Sequence, residues 1–234
     1  MLYERIGTYQ GLFQMRKVKL LDDIHEAIVQ NINSIKYSQD KRPQVESSLI
    51  SKADFFKILP PPPENTSKSV YKDLLELSKI TKSRTKEQEK FILAVDDKVE
   101  SAFMPFLNSM NLEFPIEITD VFFRAYVDNI NNIKNYYNRA RPFQIADRFG
   151  IEIDFIDTET IKTPSYPSGH SVYAFLLEKI LSEAYPIHAA RFERIAESVG
   201  HARKMQGVHF NTDIQASKKL VNAIYPRFLK LLDT

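Results

Sequence analysis

Two cations, Lys134 and Arg141, stand seven residues apart, and Pro142 follows directly. A lysine ammonium is a point charge, whereas an arginine guanidinium is a planar fork that can donate to two oxygens at once. Together they are suited to the oxygens of a phosphate group. Basic residues near the end of a helix are also typical of a simple interaction with the helix dipole, so this motif alone leaves both interpretations open.

A second cluster, Ser168, Gly169 and His170, follows Pro167 at the predicted start of a helix. The free backbone N–H groups and the positive end of the dipole at such a start bind anions. His170 would add a titratable proton donor. The alternative interpretation is an ordinary helix start capped by a serine.

A third cluster contains Arg203, His209 and Asp213. His209 and Asp213 are four residues apart, so on a helix they would project from one face. The carboxylate could then hold one imidazole nitrogen and leave the other as a nucleophile. A buried histidine–aspartate pair with a purely structural role is the alternative.

Composition excludes several other classes of protein. The 234 residues include no cysteine, which excludes cysteine-dependent phosphatases and proteases and any thiolate metal site. The 32 basic and 30 acidic residues give a net charge of +2, too balanced for a general nucleic-acid binder. The N-terminal residues lack an uninterrupted apolar stretch typical of a signal peptide, and no window reaches the roughly 18 to 20 apolar residues of a spanning helix. We therefore expect a soluble protein.

Apolar residues recur three and four apart nearly throughout, which predicts an all-α fold. The predicted helices span about 17–36, 68–81, 85–108, 119–138, 169–185, 187–205 and 211–231, with a further segment around 45–59. The first helix carries one apolar stripe, formed by Leu21, Ile24, Ile28, Ile32 and Ile35. Prolines 60–63 predict a stiff connector. We expect a loop over 143–166 with a short strand at 151–156.

In this order, the motifs K-x6-R-P, P-S-G-H and R-x5-H-x3-D resemble those of the type 2 phosphatidic-acid-phosphatase (PAP2) superfamily, which also contains the vanadium-dependent haloperoxidases. Within it the chain looks most like the soluble class A non-specific acid phosphatases of bacteria. The supporting segments are ILPPPP, RPF, YPSGH and the glycine frame from Gly200 to His209, and the resemblance runs from about 58 to about 225. It implies a compact helical bundle over 59–234, preceded by a helical extension over 1–58.

The resemblance also implies roles for single residues. His209 would attack phosphorus and form a phosphohistidine, Asp213 would orient the ring of His209, and His170 would protonate the leaving oxygen. The phosphate oxygens would be bound by Lys134, Arg141, Ser168, Gly169 and Arg203. No metal and no cofactor are expected. Aromatic residues that flank the motifs, Tyr136, Tyr137, Phe143 and Tyr166, are candidates either for core packing or for stacking on a leaving group.

The implied function is that of a metal-independent, vanadate-inhibited phosphomonoesterase acting on small soluble organic phosphates, with phosphotransfer to alcohols as a further activity. The resemblance leaves two alternatives: a vanadate-dependent haloperoxidase, and a phosphate-binding relative without catalysis. Ala202, where the family usually has serine, favours the latter. We expect no nucleic-acid or membrane partner, leave a homo-oligomer open, and expect a cytoplasmic or phage-encoded intracellular protein, although related enzymes are periplasmic.

Overall fold

The structure is a computed structural model that describes residues 19–40 and 57–232. Within these ranges the regular structure is helical, apart from one isolated bridge between Lys36 and Arg139. The main helices are α1 (19–34), α2 (Lys68–Lys82), α3 (Lys86–Asp97), α4 (Met104–Ser109), α5 (Ile116–Tyr137), α6 (Pro142–Ile145), α7 (Gly169–Ala184), α8 (Ala189–Met205) and α9 (Asn211–Leu232). The predicted all-α class is confirmed.

Helix α7 is the centre of the bundle. Its residues Ala174, Leu176, Leu177 and Leu181 are fully buried, and the helix packs mainly against α8 and α9. A helix that is apolar nearly all round has to be surrounded by other helices. The start of α7 at Gly169 therefore lies inside the protein, where neighbouring helices can bring side chains to it.

The single helix predicted over 85–108 is wrong. Helix α3 ends at Asp97 because Lys98 takes an extended conformation with φ −145° and ψ 112°. A 3-10 turn over Val99–Ala102 follows, and α4 then begins with Pro105 in its first turn. A proline is accommodated there because the first N–H groups of a helix have no partner within the helix. The break lets the segment after α3 line a cavity.

The strand predicted over 151–156 is also wrong, and the loop over 143–166 holds short helical pieces. These are α6 and the 3-10 turns Ala146–Phe149 and Glu159–Ile161. The extended residues 151–156 pair with no strand among the described residues. Instead, the N–H of Ile156 donates to the carbonyl of Gln206, and the carboxylate of Asp154 binds Arg84. The segment is thus held by side chains and by the end of α8.

Helix α1 is attached to the rest of the protein at its C-terminal end. The Asn65 amide donates to the carbonyls of Ile32 and Ile35 over 2.9 and 3.0 Å, and the Tyr37 N–H donates to Asn138 O over 3.0 Å. Ile32 is buried, whereas the other stripe residues on α1, Leu21, Ile24 and Ile28, are 57%, 47% and 53% exposed. The predicted segment 45–59 lies mostly outside the described residues, and the division of the chain at residue 58 stays a prediction.

None of the helices in the described ranges combines the length and the apolar character needed to cross a bilayer.

Candidate active site

A cavity of about 450 Å³ opens at the N-terminal end of α7. Residues from five separate stretches of the chain line it, within 96–100, 122–141, 160–163, 169–173 and 203–209. Among them are six of the eight residues that the motifs singled out: Lys134, Arg141, Gly169, His170, Arg203 and His209. The other two, Asp213 and Ser168, are fully buried and are not part of the lining.

His209 lies in the turn between α8 and α9, which a glycine makes possible. Gly207 has φ +82°, a region that favours glycine. A Cβ atom at this position would lie 2.8 Å from Cγ2 of Ile153 and 2.9 Å from Cβ of Phe155. The tight turn brings His209 back toward the cavity. His209 therefore precedes α9 and does not share a helix face with Asp213, which lies in the first turn of α9.

Asp213 nevertheless holds His209, with Nδ1 of the imidazole 3.2 Å from Oδ2 of the carboxylate. The backbone N–H of Phe210 donates to the same oxygen over 2.9 Å. A carboxylate only accepts, so Nδ1 carries the hydrogen and Nε2 carries a lone pair. Nη1 of Arg141, which also lines the cavity, donates to that lone pair over 3.4 Å.

The charge state of His209 follows from its surroundings. Burial is the largest effect and lowers the pKa of His209 well below its ordinary 6.5; the charges of Arg141, Lys134 and Arg203 lower it further. The imidazole is therefore neutral in the free protein. A buried neutral imidazole with the hydrogen fixed on one nitrogen and a lone pair on the other has the properties of a nucleophile.

Arg139, which the sequence analysis did not select, forms an ion pair with the second oxygen of Asp213. Its guanidinium also donates to Thr212 over 2.8 Å and lies over the ring of Phe210, 4.1 Å from the centroid. Burial raises the pKa of Asp213, while Arg139 and the Phe210 N–H oppose that rise. Arg139 and Arg141 flank Ala140, and Arg139 reaches Asp213 whereas Arg141 lines the cavity.

Backbone carbonyls fix the first two cations of the cavity. Lys134 Nζ donates to Pro164 O over 2.6 Å, and Arg141 donates through Nε to Thr163 O over 3.0 Å and through Nη1 to Val208 O over 2.9 Å. Burial and the neighbouring Arg141 lower the pKa of Lys134. Within the described part of the chain, neither cation has a carboxylate at ion-pair distance. Two buried cations of this kind favour an anionic ligand.

The third cation, Arg203, is held by Asp96, a second residue that the sequence analysis did not select. Nη1 of Arg203 pairs with the Asp96 carboxylate, and Nη2 donates to the Thr160 hydroxyl over 3.3 Å. Nε of Arg203 is buried and has no hydrogen-bond partner among the described residues. Burial alone would raise the pKa of Asp96, but Arg203 and the Thr160 hydroxyl lower it. Asp96 is therefore ionised and fixes the guanidinium.

Asp96 also orients His170. Nε2 of His170 lies 3.0 Å from the backbone carbonyl of Asp96. A carbonyl can only accept, so Nε2 carries a hydrogen, and in the neutral ring Nδ1 is the free acceptor. Burial, and next the charge of Arg203, lowers the pKa of His170 to about 3. His170 is thus neutral in the free protein, and a bound anion would favour its protonated form.

At the start of α7, Gly169 lines the cavity, whereas the side chain of Ser168 caps the helix. The hydroxyl oxygen of Ser168 accepts from the N–H of Ser171 over 3.4 Å and from the Ser171 hydroxyl over 3.0 Å, so it caps the helix. A phosphate contact by Ser168 stays a prediction. Gly169 lines the cavity, and a Cβ atom there would lie 3.8 Å from Cε of Lys134. Ala202 is fully buried in the hydrophobic core.

The aromatic residues that flank the motifs do not line the cavity. Tyr137 and Tyr166 meet edge to face at 5.3 Å, and their hydroxyls donate to the carbonyls of Leu59 and Pro60. Phe143 stacks on Phe155 at 4.2 Å. These rings pack the proline connector and the loop after α6, which fits the core-packing interpretation. Tyr136 meets Tyr137 edge to face but is 50% exposed, and stacking on a leaving group stays a prediction.

Residues 119–220 match the family model described as the PAP2 superfamily. A non-specific acid phosphatase of Salmonella typhimurium is 37% identical over 86 residues, which are 36% of this chain and 34% of that protein. An acid phosphatase of Zymomonas mobilis is 36% identical over 94 residues, 40% of this chain and 35% of that protein. The matched region thus spans about a third of these relatives' own length.

Among solved structures, the transmembrane PAP2-type phosphatidylglycerolphosphate phosphatase of Bacillus subtilis superposes with a TM-score of 0.49 and 18% sequence identity. The superposition covers 72% of this chain and 89% of that chain.

Proposed function

We propose, from the premise that residues 119–220 are a PAP2-superfamily domain, that this protein is a metal-independent phosphomonoesterase for small organic phosphates and works through a phosphohistidine. One observation carries the proposal. His209, with Nδ1 held by Asp213, lines the same cavity as the fixed cations Lys134, Arg141 and Arg203. The acid phosphatases among its relatives support the same reaction class.

In the first half-reaction, the lone pair on Nε2 of His209 attacks phosphorus and a P–N bond forms. The bond from phosphorus to the leaving oxygen breaks, and that oxygen keeps the electron pair and takes the proton that Nδ1 of His170 has received from the phosphate monoanion. Lys134, Arg141 and Arg203 hold the three non-bridging oxygens, where charge is redistributed in the transition state.

In the second half-reaction, a water molecule attacks phosphorus and gives its proton to Nδ1 of His170. The P–N bond breaks, its electron pair returns to Nε2 of His209, and inorganic phosphate takes the proton from His170 as it is released. An alcohol in place of water would give phosphotransfer by the same steps. Asp213 keeps the hydrogen on Nδ1 of His209 throughout, so Nε2 is available for the next cycle.

The test of this function is hydrolysis of p-nitrophenyl phosphate in the presence of excess EDTA. We expect turnover to be unchanged by EDTA, because fixed cations supply the charge that Mg²⁺ supplies in other phosphoryl-transfer enzymes. We expect inhibition by vanadate, which adopts the geometry of the transition state. Turnover that is lost in EDTA and restored by Mg²⁺ would contradict the proposal.

The pH dependence follows from the two lowered histidine pKa values. His209 is neutral at all pH values above its lowered pKa, so the nucleophile is present in acid solution. His170, with a pKa of about 3, is also neutral in the free protein and must obtain its proton from the phosphate monoanion. A phosphomonoester loses that proton near pH 6. We expect kcat/KM for an alkyl phosphate to fall about tenfold per pH unit above this value; a rise from about pH 5 to 8 would contradict the assignment.

The role of His170 is tested with leaving groups of different basicity. We expect His170→Ala to lower kcat/KM for hexyl phosphate by about 10²–10⁴-fold, since an alkoxide needs a proton as it leaves. The loss for p-nitrophenyl phosphate is expected to be less than about tenfold, because nitrophenolate is a weak base. Steady-state rates on the two esters give both values. Equal losses would mean that His170 is not the proton donor.

A further inference from the structure

The cavity has a second, apolar region beside the cations. Val99, Phe122, Val127, Ile130 and Val172 line it, and they come from the turn after α3, from α5 and from α7. Val99, Phe122 and Val172 are buried side chains of the main hydrophobic core. The apolar wall is therefore fixed by packing, and it can bury an apolar group without reorganisation.

Acidic residues also line the cavity. Asp97 and Glu100 line the cavity with Lys98 between them, and Glu100 accepts from the Tyr173 hydroxyl over 2.7 Å. Asp96 also lines it, but its charge is paired with Arg203. Two carboxylates against one lysine leave this part of the cavity negative. Bringing a second phosphate beside like charges costs free energy, which acts as selection against such a ligand.

We infer that this cavity selects phosphomonoesters that carry a single phosphate and an apolar leaving group. The inference rests on the proposed function and adds the substrate class to it. The phosphate occupies the end that contains Lys134, Arg141 and Arg203, and the leaving group lies along the apolar wall. Polyol phosphates leave that wall uncovered, and bisphosphates place their second phosphate near Asp97 and Glu100.

Three esters with primary alkoxide leaving groups test this, because their chemical reactivity is similar. They are hexyl phosphate, glycerol phosphate attached through a terminal oxygen, and hexanediol bisphosphate, which adds a second phosphate to the hexyl chain. Release of inorganic phosphate gives kcat/KM for each. We expect hexyl phosphate to exceed each of the other two by at least about tenfold. Equal values for all three would overturn the inference.

Variants locate the selection within the cavity. We expect Val127→Asn to reduce the preference for hexyl over glycerol phosphate at least about fivefold. The matched control is Val121→Asn on the same helix, since Val121 is 48% exposed and does not line the cavity.

A second variant tests the effect of the acidic residues. We expect Glu100→Gln, which keeps an acceptor for Tyr173, to raise kcat/KM for the bisphosphate several-fold. Its control is Glu117→Gln, on the exposed surface of α5. Equal effects of a cavity variant and its control would overturn the inference.

The same esters separate this inference from the proposed function. Turnover of all three at similar rates supports a phosphatase and overturns the selectivity. If none is hydrolysed, the proposed function fails, and calorimetric binding of the three esters then tests the selectivity alone. Tighter binding of hexyl phosphate than of the other two would support the inference, and equal affinities would overturn it.

Discussion

His209→Ala is expected to lower kcat on the order of 10⁴-fold or more, because the substitution removes the nitrogen proposed to form the bond to phosphorus. His170 cannot replace it, since Nε2 of His170 is occupied by the Asp96 carbonyl and its Nδ1 is needed for the proton. Initial rates with p-nitrophenyl phosphate measure the loss. Binding of inorganic phosphate should persist, because the three cations remain.

The matched control for this substitution is His25→Ala, at an exposed position of α1 remote from the cavity lining. It should leave kcat within about twofold of the unmodified protein, as ordinary surface substitutions do. Thermal unfolding of both variants separates loss of chemistry from loss of folding. Retention of more than about a tenth of the activity in a folded His209→Ala variant would mean that another residue is the nucleophile.

Asp213→Asn is expected to lower kcat by about 10³–10⁴-fold while leaving the fold intact. Arg139 donates to one oxygen of Asp213, so the amide of an asparagine would turn its oxygen to Arg139 and its N–H toward Nδ1 of His209. The Phe210 N–H, which donates to the same Asp213 oxygen as His209, would lose its acceptor. Nδ1 would then have to accept, the imidazole hydrogen would move to Nε2, and the lone pair proposed to attack phosphorus would be lost.

The test of this variant includes a measurement of the His209 tautomer, which a general structural defect would not change. The ¹⁵N chemical shifts of the His209 ring report which nitrogen carries the hydrogen, and we expect the hydrogen to change from Nδ1 to Nε2. Asp120→Asn, on the exposed face of α5, is the control and should change neither the shifts nor kcat. A loss of less than about tenfold in Asp213→Asn would contradict the tautomer assignment.

Much of this site could be predicted from the sequence because its residues lie in short motifs. The spacing from Lys134 to Arg141 and the sequence around Gly169 and His170 indicated anion binding, and those residues do line one cavity. The helices around 68–81, 169–185 and 211–231 were also predicted closely, since the first and the last have a clear apolar face and the middle one is apolar nearly all round. That the three motifs form one site was predicted from their resemblance to a family, and no single spacing predicted it.

The residues that position the side chains of the site, Arg139 and Asp96, could not be predicted from short motifs. Arg139 meets Asp213 across 74 residues of sequence, and Asp96 meets Arg203 across 107. No local pattern encodes such pairings. Asp96 also lies next to the break at Lys98, where neither glycine nor proline interrupts the helical periodicity; tertiary contacts, including the Asp96–Arg203 ion pair, override local propensity there.

The residues of the apolar wall could not be predicted from the motifs either. The aromatic residues nearest the motifs in sequence, such as Tyr166 and Phe143, pack elsewhere, while Phe122 and Val99 reach the cavity from other elements. The inferred specificity depends on which faces of α5 and α7 meet. Such a relation becomes visible only when the helices are placed in three dimensions.

Trapping of the covalent intermediate is the decisive measurement. The His170→Ala variant should accept the phosphoryl group from p-nitrophenyl phosphate but hydrolyse the intermediate slowly, because the water loses its base. After an alkaline quench and digestion, we predict a phosphoryl group on the peptide that contains His209, stable in base and lost in acid, and absent when His209→Ala is added. A phosphoryl group on another residue, or none while nitrophenolate is released in a burst, would contradict the phosphohistidine mechanism.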